Sequence, residues 1–599
     1  MIRTSVLPQS NYLILQEDTI HNSLEWKSKE QECLSFLKSC NCMEEFKQVH
    51  TQFIKLGECF SAGSLITACA LSEWGSMDYA CSIFRQFDHA DAFTFNTMIR
   101  GYANECNSEA AILLYGEMQE RRVQPDNFTY PPLLKACSRQ SALKEGIQIH
   151  GHVLKHGLQT DLYVQNSLIN MYGKCGQIKL SSQVFENMDL RSVASWSAVI
   201  SSLARFGMWY ESLRLLADMT KGGWKADEST LVSVLSSCSH LGVLDFGRCI
   251  HGSLLRNMFG LNVIVQTSLV DMYIKCGCLE KGKYIFQQMR KKNHLSYSVM
   301  ISGLAIHGCT EDALSVFSDM LKEGLVPDET VYVGVLTACS RAGLVQEGWD
   351  YFRRMEIEHN IKATLEHYGC MVDLMARVGM LKEAYDLIKS MPIKPNDVVW
   401  RCLLSARKLY LDMEITEIVR KNLFQFKPHQ AGDYLLLSNI YAQAHMWENV
   451  AEMRKKIVDR GLNQTPGFCL VEVQQKVHKF VSQDKSHPQN DALYEMIYQM
   501  EWQLRFDGYS ADTSQVLHNV DEEEKRQRLR GHSQKLAIAF ALIHTHQGST
   551  IRIVRNLCMC SDCHAYTSLV SKIVERTIIV RDQNRFHQFK GGTCSCKNC

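Results

Sequence analysis

Two stretches of the chain, Val164-Gln-Asn-Ser-Leu-Ile-Asn-Met-Tyr-Gly-Lys-Cys-Gly176 and Val265-Gln-Thr-Ser-Leu-Val-Asp-Met-Tyr-Ile-Lys-Cys-Gly277, are near copies offset by 101 residues. The same offset carries Ile149-His-Gly151 onto Ile250-His-Gly252, and Asn96 onto Ser197 and then onto Ser298. Self-similarity at a fixed period is the signature of stacked structural units, and it limits the fold more tightly than composition does. A chain of 599 residues is also too long for one hydrophobic core.

Within one copy, Leu168, Ile169, Met171 and Tyr172 give an apolar helical face, and Gly173 and Gly176 supply the break expected at its end. A second helix is predicted from Leu180, Val184, Phe185 and Met188, whose spacing places them on one side. Such a helical hairpin cannot bury its apolar face alone, so neighbours must stack into a solenoid with a long concave groove.

Composition is consistent with a folded helical chain: 46% of residues are hydrophobic, 22% are charged, and there are only 10 prolines. The net charge of +1 excludes bulk basicity as a means of holding nucleic acid, so any such contact rests on a local surface. Most of the 24 cysteines stand singly inside apolar helical patterns and read as small buried thiols in a reducing compartment. The exception is the last 42 residues, where Cys558, Cys560, Cys563, Cys594, Cys596 and Cys599 cluster and suggest metal. The apolar run Leu536 to Ile543 is eight residues long, well short of the roughly 20 needed to span a bilayer, and reads as a core helix, so no membrane role is expected. Residues 1–30 open with Arg3 and two serines and carry no acid before Glu17, compatible with either an organellar presequence or an unstructured start.

Segments such as Phe95-Asn-Thr-Met-Ile-Arg-Gly-Tyr102 and the unit endings Val-Gln-Pro-Asp126 and Leu-Val-Pro-Asp328 resemble pentatricopeptide repeats. The 101-residue period is similar to that of the plant subclass in which units of roughly 35, 35 and 31 residues alternate, and it argues against tetratricopeptide repeats of about 34. The resemblance implies a mainly α chain. A right-handed α-solenoid of about 11 repeats would occupy residues 31–396, with units starting near Ala92, Asn127, Leu162, Val193, Glu228, Val263, His294, Glu329 and Leu365. Residues 397–464 still read as helical pairs and resemble the E-type extension motifs that follow such arrays.

In this family one base is read by the fifth and last residues of a repeat, a one-base-per-repeat logic shared with other helical RNA readers. The resemblance therefore implies the pairs Asn96 with Asp126, Asn166 with Ser192, Ser197 with Asp227, Thr267 with Asn293, and Ser298 with Asp328. By the family's code they favour, in order, a pyrimidine (mainly U), C, G, A and G. Pro131, Val232 and Val333 stand at the fifth positions between them and offer little hydrogen bonding. Polar residues at helix starts also serve as caps, and this reading stands beside the base-reading one.

At Thr465-Pro-Gly467 the pattern turns, and the alternating run Cys469 to Val481 switches from helical to strand period. Further on, Asp521 to Arg530 runs from acidic to basic and reads as a helix with a solvated face. Residues 465–599 then supply metal-ligand types at His532, Cys560-Ser-Asp-Cys563-His564, His587 and Cys594-Ser-Cys596. The segment resembles the DYW domain, a small α/β cytidine-deaminase-like module. By that resemblance His532, Cys560 and Cys563 would hold a catalytic zinc with one open position, and His564, His587, Cys594 and Cys596 a second, structural zinc, up to two Zn2+ in all. Two departures follow. The deaminase pattern is His-x-Glu, in which the glutamate moves protons, but the chain has Gln534, which does not titrate. The family ends in Asp-Tyr-Trp, whereas this chain ends Lys597-Asn598-Cys599.

The expectation is a sequence-specific reader of single-stranded organellar RNA, in mitochondrion or chloroplast, that selects sites for C-to-U editing. It would act as a monomer, with little deamination of its own and with a competent deaminase or other editing factor supplied in trans. Two alternatives stand beside it: an active zinc-dependent cytidine deaminase on RNA, and a splicing or stability factor with a zinc-stabilised scaffold.

Overall fold

The computed structural model of the protein describes residues 31–56, 62–87, 90–105, 107–257, 261–406, 413–425, 431–462, 465–516, 520–583 and 585–596. Residues 1–30 and Lys597-Asn598-Cys599, on which the presequence and terminus readings fall, lie outside them. From Met43 to Asp459 the described chain is a succession of helices, most of 8 to 14 residues, joined by short turns. The helices used below are α1 (Ala92–Asn104), α2 (Leu162–Lys174), α3 (Val193–Arg205), α4 (Glu228–Leu241), α5 (Leu244–Asn257), α6 (Val263–Lys275) and α7 (His294–Ile306).

The repeat starts expected from sequence coincide with helix starts at every position but one. Asn127 instead belongs to a turn in which Asp126 Oδ1 accepts from the Phe128 and Thr129 amides, and the helix begins at Tyr130, ahead of two prolines that suit a first turn. Elsewhere a polar side chain caps the first turn. Asp91 accepts from the Thr94 amide, Asp161 from those of Tyr163 and Val164, and Asn262 from that of Val265. Each such cap stabilises its helix by about 0.5–2 kcal/mol.

The predicted glycine break separates into two different functions. Gly176 (φ +78°) and Gly277 (φ +75°) do make the left-handed turn after α2 and α6. Gly173, however, lies inside α2 and provides close packing: a methyl there would sit 2.0 Å from Ser202 Oγ, with Ser181 Oγ 3.7 Å away. One period later all three positions invert. Ile274 replaces the glycine, and glycines at 282 and 303 make room for it, a Cβ on either falling 2.7 Å from the isoleucine side chain. Volume is thereby conserved while its distribution changes.

The chain divides into two compact units between Thr230 and Leu231. In the first, a hydrophobic core runs through Phe46, Ile66, Phe95, Ile99, Tyr130, Leu134 and Leu168. Each fully buried large side chain of this kind stabilises by about 1.5–3 kcal/mol. In the second, helical pairs continue through Asp397–Ala406, Met413–Gln425, Ala431–Gln443 and Trp447–Asp459, with Trp400, Leu404, Tyr434 and Tyr441 at their core. No helix among the described residues is long and apolar enough to cross a membrane.

The unit ends in a six-stranded sheet of order β2-β1-β3-β4-β5-β6, formed by β1 (Phe468–Val473), β2 (Lys476–Val481), β3 (Ile551–Arg555), β4 (Ile578–Arg581), β5 (Phe586–Lys590) and β6 (Thr593–Cys594). The β3–β4 pair is parallel and the others are antiparallel. The alternating run from Cys469 is thus two strands, a hairpin turning at Gln474 and Gln475, both at positive φ as a tight two-residue turn requires. Helices α8 (Asn490–Phe506), α9 (Ser533–His544) and α10 (Ser561–Ile573) pack with the sheet around Val471, Leu493, Leu536, Phe540, Ile553, Tyr566 and Val580. The charged stretch forms the helix Glu522–Arg530, capped by Asp521 and lined with close ion pairs on its own face, while Arg530 reaches Glu501 of α8 at 2.8 Å.

Candidate metal centres and groove positions

His532 stands at the N-cap position of α9 without a side-chain cap bond, and Cys560 caps α10, its sulfur accepting from the Cys563 amide at 3.5 Å. Two helix N-termini, each carrying partial positive charge, therefore face one cluster and favour thiolate there. His532 Nδ1 lies 3.3 Å from Cys563 Sγ and 3.6 Å from Cys560 Sγ, and all three donor atoms fall within 4.8 Å of one another. The hydrogen bond between the two thiols holds Cys563 below the usual thiol range and pushes Cys560 above it. A second group joins His564, on the first turn of α10, with His587 of β5 and Cys594 and Cys596 beyond it. There His564 Nε2 is 3.2 Å from Cys596 Sγ, and Cys594 Sγ is 3.7 Å from His587 Nδ1. Burial lowers the His564 pKa to about 4, so its imidazole is neutral, as a ligand must be.

Tetrahedral zinc with bonds of about 2.3 Å to sulfur and about 2.0–2.1 Å to nitrogen needs ligand atoms about 3.3–3.8 Å apart. Both groups fit that ion in donor type and spacing, the first with three ligands and the second with four.

Around the metal-ligand groups lie Gln534, singled out from sequence, and several supporting residues that are not apparent as site residues from sequence. Gln534 is 1% exposed in the first turn of α9. Its Nε2 donates to Thr567 Oγ1 at 2.7 Å, and its Oε1 accepts from the Arg555 guanidinium. Beneath it Lys535, wholly buried, pairs with Asp562 at 3.0 Å and donates to the Tyr509 hydroxyl at 2.9 Å, while Tyr509 donates to Asp562 Oδ1 at 2.8 Å. His587 turns its other nitrogen to Asp582 Oδ2 at 3.3 Å, a carboxylate partner of the kind that fixes ligand orientation. The sequence signals were adjacency for Lys535 and Asp562, and five-residue spacing for Asp582.

Along the array Asn96, Asn166, Ser197, Thr267 and Ser298 are each the fifth residue of a helix, α1, α2, α3, α6 and α7 in turn. Asn96, Ser197, Thr267 and Ser298 are 3–9% exposed. The Asn96 amide donates to Asp126 Oδ1 at 2.9 Å, and that of Asn166 reaches toward Ser192 Oγ at 3.5 Å. Thr267 donates to the Val263 carbonyl at 2.7 Å, and Ser298 meets Thr330 at 3.1 Å. Ser192, Asn293 and Asp328 are also N-caps, and Asp227 accepts from the Thr230 amide, so the capping reading holds for them. In Asp126, Asp227 and Asp328 all these bonds fall on Oδ1.

Helical hairpins in series, followed by a small sheet domain with two histidine–cysteine groups, define a helical repeat array joined to a domain with two candidate metal centres. Its parts match described families: the PPR repeat family at 90–139 and 292–341, the PPR repeat at 166–193, 194–224, 267–294, 330–358 and 366–394, the E motif at 410–472, and the DYW family of nucleic acid deaminases at 508–599. Pentatricopeptide repeat-containing protein At1g31920 of Arabidopsis thaliana is 54% identical over 606 residues, covering 100% of both chains. Another from the same plant, At1g59720, described as chloroplastic/mitochondrial, is 38% identical over 94% of this chain and 92% of its own. The solved structure of the pentatricopeptide repeat protein PPR10 in complex with an 18-nt psaJ RNA element superposes with a TM-score of 0.55 at 18% identity, covering 72% of this chain and 64% of that one. The chain belongs to the pentatricopeptide repeat family, with an E motif and a C-terminal DYW deaminase domain.

Proposed function

We propose that the protein is a sequence-specific single-stranded RNA-binding factor that selects sites for C-to-U editing of organellar transcripts, with its own deaminase site impaired at Gln534. The observation that carries the RNA reading is unspent hydrogen-bonding capacity at fifth and last repeat residues, which meet directly in Asn96–Asp126 and Asn166–Ser192. The side-chain oxygens of Asn96 and Asn166 are buried and have no hydrogen-bond partner among the described residues. Orphaned buried acceptors are costly, and a base edge in the groove would supply the missing donor. The second carboxylate oxygens of Asp126, Asp227 and Asp328, not used in capping, offer the same to a base amino group. Organellar location is supported by relatives described as chloroplastic or mitochondrial.

At the first metal centre His532, Cys560 and Cys563 would hold zinc, which when bound activates a water for attack on the base. The proton must then be carried by a side chain at position 534. A carboxamide held by Arg555 and Thr567 keeps the shape of that position but accepts no proton, removing a contribution of about 10²–10⁴-fold. Deamination then requires a competent deaminase in trans.

Selection from a random RNA pool with the full-length chain tests the first half. Enriched sequences should shift at one position when Ser298 or Asp328 is exchanged, and absence of enrichment would refute base reading. For the second half, the zinc-loaded chain is incubated with its selected RNA carrying a cytidine downstream. Turnover by Gln534→Glu alone is expected; conversion by the unmodified chain that Gln534→Ala abolishes would establish an active deaminase instead.

A further inference from the structure

Within the second unit the sheet of the zinc-ligand domain meets the array at the turns between paired helices. Arg581, the last residue of β4, donates to the main-chain carbonyls of Ser239 and His240 at the end of α4 and to that of Lys275, 2.6 Å away, at the end of α6. Glu472 of β1 does the converse, accepting from the amides of Asp245 (3.0 Å) and Phe246 (3.3 Å) in the first turn of α5. Phe586, at the start of β5, stacks on His307 with ring centroids 3.9 Å apart and planes 9° from parallel, while the His307 Nε2 side hydrogen-bonds the Ile274 carbonyl at 3.0 Å. Two glycines complete the fit: a Cβ on Gly242 would lie 2.2 Å from Val554, and one on Gly277 2.9 Å from Ile579.

The charges have the sign that helix ends demand. The last carbonyls of a helix and its first amides lack partners inside the helix, and they carry partial negative and positive charge respectively. A guanidinium seated on two C-terminal ends and a carboxylate on one N-terminal end satisfy those groups, and exchanging the two would repel the domain. The glycines at 242 and 277 lie at positive φ in the turns themselves, so the backbone that shapes each helix end also clears the space for Val554 and Ile579. Thr267 lies eight residues before Lys275 on α6, and Ser298 nine before His307 on α7, which at 1.5 Å per residue is about 12–14 Å along the helix. The contact therefore uses the opposite ends of the helices that carry the fifth-position residues and does not involve those residues.

We infer that the turn edge of the repeats from Ser239 to His307 is a dock for the chain's own zinc-ligand domain. Docked, the first metal centre moves as one body with the repeats that carry Thr267 and Ser298, which sets its distance from any strand held in the groove. That last consequence rests on the proposed RNA reading, but the dock itself does not.

The test uses the full-length, zinc-loaded chain. Arg581→Glu places a carboxylate against three carbonyls, and Glu472→Lys places an ammonium against two helix-start amides. Each should raise amide exchange at residues 241–247 and 274–278 by roughly ten-fold or more and enlarge the particle in small-angle scattering, with bound zinc unchanged. Arg581→Lys, a smaller cation at the same helix ends, should behave closer to the unmodified chain. Should Arg581→Glu lose zinc, the Glu472→Lys variant decides. Unaltered exchange and scattering in a zinc-retaining variant would overturn the dock, whatever the outcome of RNA selection.

Discussion

Lys535→Met is the substitution with the largest calculable consequence for the first metal centre. The side chains of Lys535 and Asp562 are wholly buried, and the ammonium joins α9, which begins after His532, to α10, which begins after Cys560. It lies 3.0 Å from Asp562 Oδ2 and 3.6 Å from Glu501, and 4.7 Å from the centre of the Tyr566 ring. Methionine fills the space but removes the charge. Glu501 keeps Arg530 at 2.8 Å, and Asp562 Oδ1 keeps the Tyr509 hydroxyl and the Asp512 amide at 3.1 Å, but Asp562 Oδ2 loses its ion pair. Leaving one member of a buried pair uncompensated costs about 3–5 kcal/mol. Adding Asp562→Asn discharges the orphan, so the double variant should recover about 1–3 kcal/mol of that loss. A chain of several units does not unfold in one step, so the readouts are local: zinc release to a chromophoric chelator along a urea series, and amide exchange of α9 and α10. A loss below about 0.5 kcal/mol in the single variant, or losses that simply add in the double, would refute the view that this pair staples the two ligand-bearing helices.

Gly173→Ala should destabilise the array by about 1–3 kcal/mol, because the new methyl falls 2.0 Å from Ser202 Oγ. Adding Ser202→Gly should restore part of the loss, read as amide exchange of α2 and α3, and a neutral single substitution would show that the interlock is loose. Acidification should weaken the array through His367, whose imidazole burial holds below the ordinary histidine pKa. Its Nδ1 accepts from the Thr364 amide at 3.1 Å and its Nε2–H donates to the Glu329 carbonyl at 3.0 Å, so only the neutral ring fits. The unfolded chain takes up the proton first; this contribution is thus present above pH ~6.5 and lost as pH falls below it. Amide exchange of the helix Leu365–Val378 should quicken, after correction for the intrinsic pH dependence, between pH 7.5 and 5.5, less steeply in His367→Gln, and equal slopes would exclude His367 as the source.

The period made the helical pairs legible, because stacking forces the same apolar spacing and cap on each unit. Asn127 departed from the pattern since the turn around Asp126 and the prolines after Tyr130 delay the helix. Gly173 misled because a glycine that admits a neighbour looks, in sequence, like one that ends a helix. The hairpin at Gln474-Gln475 carries no Asn-Gly or Asp-Gly mark. The histidines and cysteines of the two candidate centres were legible by their residue types, and the fold brings them together. Asp582 left a trace in its five-residue spacing from His587, but Arg555 and Glu501, which hold Gln534 and Lys535, announced nothing, since long-range pairing leaves no local trace in one sequence. The dock around Arg581 is hidden for the same reason, its partners lying more than 300 residues earlier.

The inverted packing of Gly173 and Ile274 bears on how such a chain persists in a genome. Near-identical neighbouring copies invite unequal recombination, which deletes one period and leaves the reading frame intact. Joining residue 173 directly to 275 would set Gly173 against Gly282 and Gly303, a hole where Ile274 stood; the reciprocal product would press an isoleucine against Ser181 and Ser202. A void of that size costs about 2–5 kcal/mol, a large part of a domain's stability. The two copies have become mutually incompatible in their packing, so a shortened recombinant would be removed as a misfolded protein before it could bind at a wrong site.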